Sequence, residues 1–279
     1  MTSEVRFAFG ANWRRFLMGL NDGRVAEAEE SLKHRLQRQR LDGQTFLDVG
    51  SGSGLFSLAA RRLGATVYSF DYDAQSVECT QILKQKFFPN DRRWHIEQGS
   101  ILDSSYATKL GRFDVVYSWG VLHHTGDMWQ ALSNAADLVR RDGVLFIALY
   151  NDQGWLSKYW ARVKRLYHRN AFSRVLVTLV HLPYLYFGRW IARAFRSRGD
   201  IERGMSLWYD MHDWLGGYPF EVAAPSQVLE FCRQLGFEVF DVRTCGHKSG
   251  CNEFVLVKAQ DIDVEHDTSA RGQVSVGRQ

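Results

Sequence analysis

The stretch Phe46-Leu-Asp48-Val-Gly50-Ser-Gly52-Ser-Gly54-Leu-Phe56 reads as a strand that runs into a glycine loop and opens a helix. Glycine at every second position lets the backbone turn tightly and lets a ligand approach it closely, so the loop suits a nucleotide-like molecule. Spacing narrows the choice. A dinucleotide fingerprint needs G-x-G-x-x-G, whose last glycine would fall at Leu55, and the lysine of a phosphate-cradling P-loop is missing.

Outward from this stretch, residues 44–150 alternate apolar β-rich runs with helical patterns, as in a doubly wound α/β sheet. Strands are expected at Thr45 to Val49, Thr66 to Phe70, Trp94 to Gln98, Phe113 to Ser118 and Val144 to Tyr150. Leu55 to Leu63, Ala74 to Phe87 and Met128 to Val139 carry the i, i+3, i+4 apolar spacing of helices. Asp142-Gly143 is read as the stop that ends a helix region and admits the fifth strand. A last helix, Ser226 to Leu235, and two strands, Phe237 to Arg243 and Glu253 to Lys258, resume the pattern. Joined by Cys245-Gly-His-Lys-Ser-Gly250, these strands form an antiparallel pair closing one sheet edge. Four parts follow: helices over 1–43 that act as a lid, a core over 44–151 and 225–259, an insertion over 152–224, and a polar, disordered tail over 260–279.

Composition excludes other classes. With 279 residues, 45% hydrophobic, 24% charged and only 4 Pro beside 24 Gly, the chain is neither disordered nor collagen-like. Four Cys make no disulfide framework, and no apolar run follows the N-terminus, so a cytoplasmic location is expected.

Asp71 ends the second strand about 20 residues after the loop, where a carboxylate can accept both hydrogens of a ribose diol. Ser51 in the loop and Tyr72 beside Asp71 join the same group. Ser100 and Ile101, after the third strand, are placed to offer a hydroxyl and a backbone N–H to an adenine edge; a plain loop is the alternative. Ser118 and Trp119 lie at the carboxyl end of strand four, the edge where open α/β sheets bind ligands, and are expected along the rest of the same ligand.

These residues resemble class I S-adenosylmethionine-dependent methyltransferases over residues 44–258. Asp48-x-Gly50-x-Gly52-x-Gly54 matches that family's cofactor loop, Asp71 its ribose-binding acid and Phe113-Asp-Val-Val-Tyr-Ser118 its fourth strand. The resemblance implies a seven-stranded Rossmann-like sheet, parallel with a reversed final strand, and S-adenosyl-L-methionine as cofactor. Ser100 departs from the acidic residue with which many members read the adenine amino group. Val121-Leu122-His123-His124 and the insertion resemble the ubiquinone-biosynthesis O-methyltransferase-like branch.

Methyl transfer asks the protein mainly to align two reactants and exclude water, and it demands no metal. His123, preferred, and His124 are candidate general bases; packing and helix capping are their bland alternatives. The acceptor is expected against Tyr150 and Asn151 at the end of strand five, against Phe9, Asn12 and Trp13 of the N-terminal lid, and against His212, Trp214 and Tyr218 of the insertion. His212-Asp213 is weighed as a metal site and set aside for want of a third ligand, and Cys245 and Cys251, which flank His247, are read as incidental thiols of a hairpin turn.

The ten Lys or Arg between Gln153 and Gly199 meet no Asp or Glu there, whereas the rest of the chain holds 25 basic and 31 acidic residues. From Trp155 to Arg169, Trp155, Leu156, Tyr159, Trp160, Val163, Leu166 and Tyr167 fall on one helical face, with Lys158, Arg162, Arg165 and Arg169 on the other. A similar pattern follows Pro183. Residues 155–196 are therefore read as a cap over the acceptor or as a peripheral membrane contact, with a nucleic-acid surface disfavoured by the acidic remainder. The expected enzyme methylates an O, N or S atom of a small aromatic or lipophilic acceptor. An RNA or protein methyltransferase and a non-catalytic cofactor-binding or membrane-docking module are the alternatives. Oligomeric state is left open.

Overall fold

A computed structural model describes residues 10–194 and 214–259. Two helices, α1 (Gly10–Met18) and α2 (Asp22–Leu36), precede strand β1 (Thr45–Val49). Then come α3 (Leu55–Arg62), β2 (Thr66–Asp71), α4 (Ala74–Phe87), β3 (Trp94–Gln98), α5 (Ser104–Leu110) and β4 (Phe113–Trp119). A 3₁₀ turn at Leu122–His124 leads to α6 (Met128–Asp137) and β5 (Val139–Tyr150). The segment after β5 holds α7 (Trp155–Tyr167) and α8 (Ala171–Ala194), and α9 (Pro225–Gln234), β6 (Phe237–Arg243) and β7 (Cys251–Lys258) close the chain's described part.

The seven strands lie in the order β3-β2-β1-β4-β5-β7-β6. All neighbours are parallel except that β7 runs antiparallel to both β5 and β6. The α/β class, the seven strands and the reversed last strand are as the sequence and its resemblance imply. The chain leaves β1 towards β2 on one side and returns to β4 on the other, so the crevice beyond Val49 and Trp119 is the topological switch point, where such sheets take ligands.

Alternation along the strands sends side chains into two apolar layers. Leu47, Val116, Leu145 and Ile147 pack with Leu132 of α6 and Val228 of α9, while Phe46, Val115 and Phe146 meet Leu32 of α2 and Leu58 of α3. Trp160, Val163 and Tyr167 of α7 join Val177 and Leu215 in a separate small core.

Three features differ from expectation. β5 begins at Val139, opposite Phe113, and the register then jumps so that Val115 faces Val144. Asp142, at φ 58°, and Gly143 make the irregularity inside a strand rather than the stop before one. α5 was not expected; Asp103 caps it by accepting the N–H groups of Ser105 and Tyr106 at 3.0 and 3.1 Å. On α7, Trp155, Tyr159 and Leu166 face outward with the cations, whereas Lys164 is fully buried, so the inward face is narrower than a hydrophobic count implies. The expected tail over 260–279 lies outside the described residues.

Candidate active site

The glycine loop follows from its backbone. Gly50, Gly52 and Gly54 have φ of 76°, 55° and 78°, the left-handed region that residues with a Cβ rarely occupy. Space forbids side chains as well: a Cβ on Gly50 would stand 2.4 Å from Val121, and one on Gly52 2.9 Å from the Trp13 indole. The amides of Gly50 and Ser51 both donate to the Phe70 carbonyl, at 2.9 and 3.0 Å, which fastens the loop to the end of β2.

Asp71 completes that end. One carboxylate oxygen accepts the Gly52 N–H at 2.9 Å, and the other accepts the Asp73 N–H at 2.9 Å. Burial pushes its carboxyl up to about 6, against the opposing pull of those two amide bonds. Asp48 lies underneath. Its buried carboxyl takes a bond from Ser57, whose hydroxyl meets Ser69 at 2.7 Å, and burial pushes it up to about 7. Asp48 thus braces the loop from below rather than lining its mouth.

The other expected cofactor residues sit at the same edge with distinct roles. Ser51 shares a hydrogen bond with Thr80 of α4 at 3.0 Å, turning its hydroxyl away from the loop's mouth. Tyr72 is exposed beside Asp71. Ser100 accepts the Leu102 N–H at 3.3 Å, and the Ile101 carbonyl takes a bond from Asn134 at 2.7 Å. Ser118 is buried and donates to the Val49 carbonyl at 3.1 Å, locking the two strands of the switch point together. The Trp119 indole donates to Glu253 at 3.1 Å and packs on the layer covered by α2 and α3.

Trp13 reaches the loop because α1 is anchored across α4. Asp73 caps α4 with one oxygen, accepting the Gln75 N–H at 2.9 Å, and holds the Gly10 N–H at 2.9 Å with the other. Three residues on, the Trp13 indole covers Gly52. Asn12 lies on the same helix, half-buried, while Phe9 and His212 fall outside the described residues.

On the far side of the switch point, aromatic rings converge. Tyr150 stands 3.8 Å from His123, 5.4 Å from His124, 5.7 Å from Trp214 and 5.4 Å from Phe220, centre to centre. The space between Tyr150, Trp160, Trp214 and Phe220 is a cavity of about 10 Å³, no larger than a single water needs. A larger cavity of about 420 Å³ lies beneath α5, bordered by Tyr68, Glu97, Tyr106 and Lys109, and shares no residue with the glycine loop.

The histidines are not equivalent. His123 is fully buried and its Nδ1 accepts the Tyr150 N–H at 3.3 Å, which commits its acceptor nitrogen to the backbone. His124 Nδ1 lies 2.7 Å from the Pro219 carbonyl, which requires the proton on that nitrogen and puts the lone pair on Nε2. Burial, with the Lys164 charge adding to it and the Pro219 bond opposing, pushes His124 down to about 4, so it stays neutral at neutral pH. The two rings thus differ in burial and in the group that holds Nδ1. Asn151 borders the same small cavity as Tyr150, and its amide donates to the Gly246 carbonyl at 2.8 Å and accepts from Asn252 at 3.0 Å, tying the end of β5 to β7 and the connection before it. Tyr218 packs on His168 at 5.6 Å.

Two participants escaped the sequence reading. Lys164 donates to the Trp214 carbonyl, with its ammonium 4.4 Å from the Trp214 ring and 4.9 Å from that of Phe220. Glu221 accepts the N–H groups of Gly126 and Met128 at 3.1 and 3.2 Å, and its own N–H donates to the His123 carbonyl at 3.0 Å. A lysine in a basic run and an acid 57 residues beyond it carry no local signal of these contacts.

A family model described as a methyltransferase domain matches residues 24–184. The chain belongs to that family. It is a class I methyltransferase, whose cofactor is S-adenosyl-L-methionine. The ubiquinone biosynthesis O-methyltransferase of Haemophilus ducreyi is 32% identical over 114 residues, which cover 40% of this chain and 47% of that protein. The protein of the same name from Brucella ovis is 30% identical over 144 residues, 47% of this chain and 53% of the other. The methyltransferase thus spans about half the length of the curated relatives it matches. Magnesium protoporphyrin IX methyltransferase from Synechocystis PCC 6803, solved with bound SAH, shares the fold at a TM-score of 0.51 and 15% identity, covering 85% of this chain and 84% of that one.

The residues present fit the cofactor. The loop from Gly50 to Gly54 is a cradle that Cβ atoms would fill, and a carboxylate fixed at its mouth is a ready acceptor for a diol. Among the described residues no group of three or more His, Cys, Asp or Glu is arranged to hold a metal ion.

Proposed function

We propose that this methyltransferase moves a methyl group from S-adenosylmethionine to an oxygen, nitrogen or sulfur atom of a small aromatic or lipophilic acceptor, with oxygen favoured by the names of its relatives. The observation that carries the reading is the Asp71 carboxylate held on the Gly52 amide, at the same sheet edge as the rings of His124, Tyr150, Trp214 and Phe220. When bound, the cofactor supplies a methyl group on a positively charged sulfur. Gly50, Gly52 and Gly54 give its backbone-lined berth, Asp71 takes the ribose hydroxyls, and Tyr72, Ser100 and Ile101 border the adenine. Ser118 and Asp48 hold the strands beneath, and Trp13 with Asn12 covers the loop as a lid.

The acceptor side is an aromatic wall of His124, Tyr150, Trp160, Trp214 and Phe220, over which the segment 152–224 acts as a cap. Its first task is alignment and exclusion of water, which contributes roughly 7–11 kcal/mol, whereas a general base adds about 10²- to 10⁴-fold. His124 is that base, kept neutral so that Nε2 can take the acceptor's proton. Titration with S-adenosylhomocysteine by calorimetry, followed by a methyl-label assay, tests the reading. Label in an organic extract is the expected result. Label in RNA or protein would replace the acceptor class, and binding with no turnover on any acceptor would leave a cofactor-binding module.

A specific observation also favours contact with a lipid surface through residues 155–196. The cations Lys158, Arg162, Arg165, Arg169 and Arg174 are exposed together with Trp155, Tyr159 and Phe172. Such a mixture suits a headgroup boundary, where a lipophilic acceptor resides.

A further inference from the structure

We infer that the helical pair α7 and α8 docks on an anionic bilayer through one defined stripe of α8, which lays the outer side of the acceptor wall against the lipid. The inference rests on the lipid-contact reading of this segment and adds the face, the lipid charge and the orientation.

The stripe is Phe172, Val175, Leu176, Leu179 and Val180, all 47–78% exposed. Their spacing is i, i+3, i+4, i+7 and i+8, one continuous side of a helix. The inward side of α8 is the smaller and more polar one: Ser173 and Val177 are buried, and His181 bonds the Tyr159 hydroxyl at 2.7 Å. A helix of a globular protein normally turns its apolar side to the core, so the first part of α8, from Phe172 to His181, is laid the wrong way round for water and the right way round for an apolar phase.

Charge selects the occupant. Lys158, Arg162, Arg165, Arg169 and Arg174 are exposed on the same two helices, and no acidic residue occurs between Gln153 and Gly199. A second copy of the chain on a two-fold axis would bring these cations face to face. Anionic headgroups neutralise them instead, while Trp155, Tyr159 and Phe172 settle at the boundary. No helix among the described residues is long and apolar enough to cross a membrane, so the pair lies on the surface. Its inner side is Trp160, 5.8 Å from Trp214, which in turn meets Tyr150. Among the described residues, this helical pair then separates lipid from the acceptor wall.

Co-sedimentation of the full chain tests this, with vesicles of phosphatidylcholine alone and of phosphatidylcholine mixed with phosphatidylglycerol. The expected result is binding to the mixed vesicles that weakens with salt and falls about tenfold or more in the L176E/L179E variant. S-adenosylhomocysteine affinity, measured on the same preparations, should be equal in both proteins. Because both leucines point to solvent, circular dichroism is expected to be unchanged. Absence of binding to mixed vesicles at low salt by a protein that still binds S-adenosylhomocysteine would overturn the docking surface alone. So would equal binding by L176E/L179E, or a solution mass that halves on making that variant. Loss of S-adenosylhomocysteine binding would instead count against the methyltransferase reading.

Discussion

The carboxylate of Asp71, the last residue of β2, accepts the amide hydrogen of Gly52 at 2.9 Å, so the glycine loop and the acid proposed to take the ribose diol are bonded to each other. Replacing Asp71 by Ala removes that bond and the acceptor for the ribose diol. A hydrogen bond to a charged group is worth roughly 1.5–3 kcal/mol, so S-adenosylhomocysteine affinity should fall roughly tenfold to a hundredfold by calorimetry. Affinity equal to wild type would contradict the assignment.

The same carboxyl gives a pH signature. Raised by burial to about 6, Asp71 is ionised at neutral pH and takes a proton as pH falls through that value, losing its capacity as a pure acceptor. Affinity for S-adenosylhomocysteine should be level from pH 7 upward and decline below pH 6, by up to about tenfold per unit. Asp71→Asn should bind weakly with this dependence removed.

Gly52→Ala places a Cβ at φ 55° and within 2.9 Å of the Trp13 indole. Denaturant unfolding should show a loss of about 1–3 kcal/mol. The W13A background should relieve the contact but not the backbone strain, giving a coupling of about 0.5 kcal/mol or more in a double-mutant cycle. Strict additivity would mean that α1 does not rest on the loop.

For the histidines the expected outcomes diverge. H124A should keep S-adenosylhomocysteine affinity and lose about 10²- to 10⁴-fold in kcat, whereas H123A, which strips a buried support from the Tyr150 amide, should lower the unfolding midpoint. Since His124 is pushed to about 4, kcat at saturating cofactor should stay level as pH falls from 7 to about 5. A decline centred near the ordinary 6.5 would exclude His124 as the base.

Lys164→Met keeps the length of the side chain and removes its charge. Burial is the larger cause of the low His124 value and the Lys164 charge an additional one. The NMR titration of His124 should therefore move upward but stop short of 6.5. No movement would mean that the two groups do not sense each other.

How much of this could be read from residues alone depends on the range of the contact. The loop, its glycine conformations and Asp71 were legible because a strand, a turn and the next strand's end are fixed by local pattern and close spacing. The strands β1 to β4 were legible for the same reason, since apolar runs bounded by turn residues have few alternatives. Asp142-Gly143 misled because the same pair serves a helix stop or a kink within a strand, and only the partner Phe113 decides between them. His123 and His124 looked alike because tautomer and burial come from Tyr150 and Pro219, 27 and 95 residues away. The apolar stripe from Phe172 to Val180 was not singled out in sequence, and whether such a stripe faces core or solvent is a tertiary fact.

Glu221 gives the acceptor side a mechanical property. Its carboxylate grips the start of α6 and its backbone grips His123, and the next turn of chain holds His124 through Pro219. The returning limb of the 152–224 segment and the histidine pair are therefore one linked body. A displacement of residues 219–221 would therefore pull on both histidines at once, so the position of the proposed base is tied to that of the proposed cap.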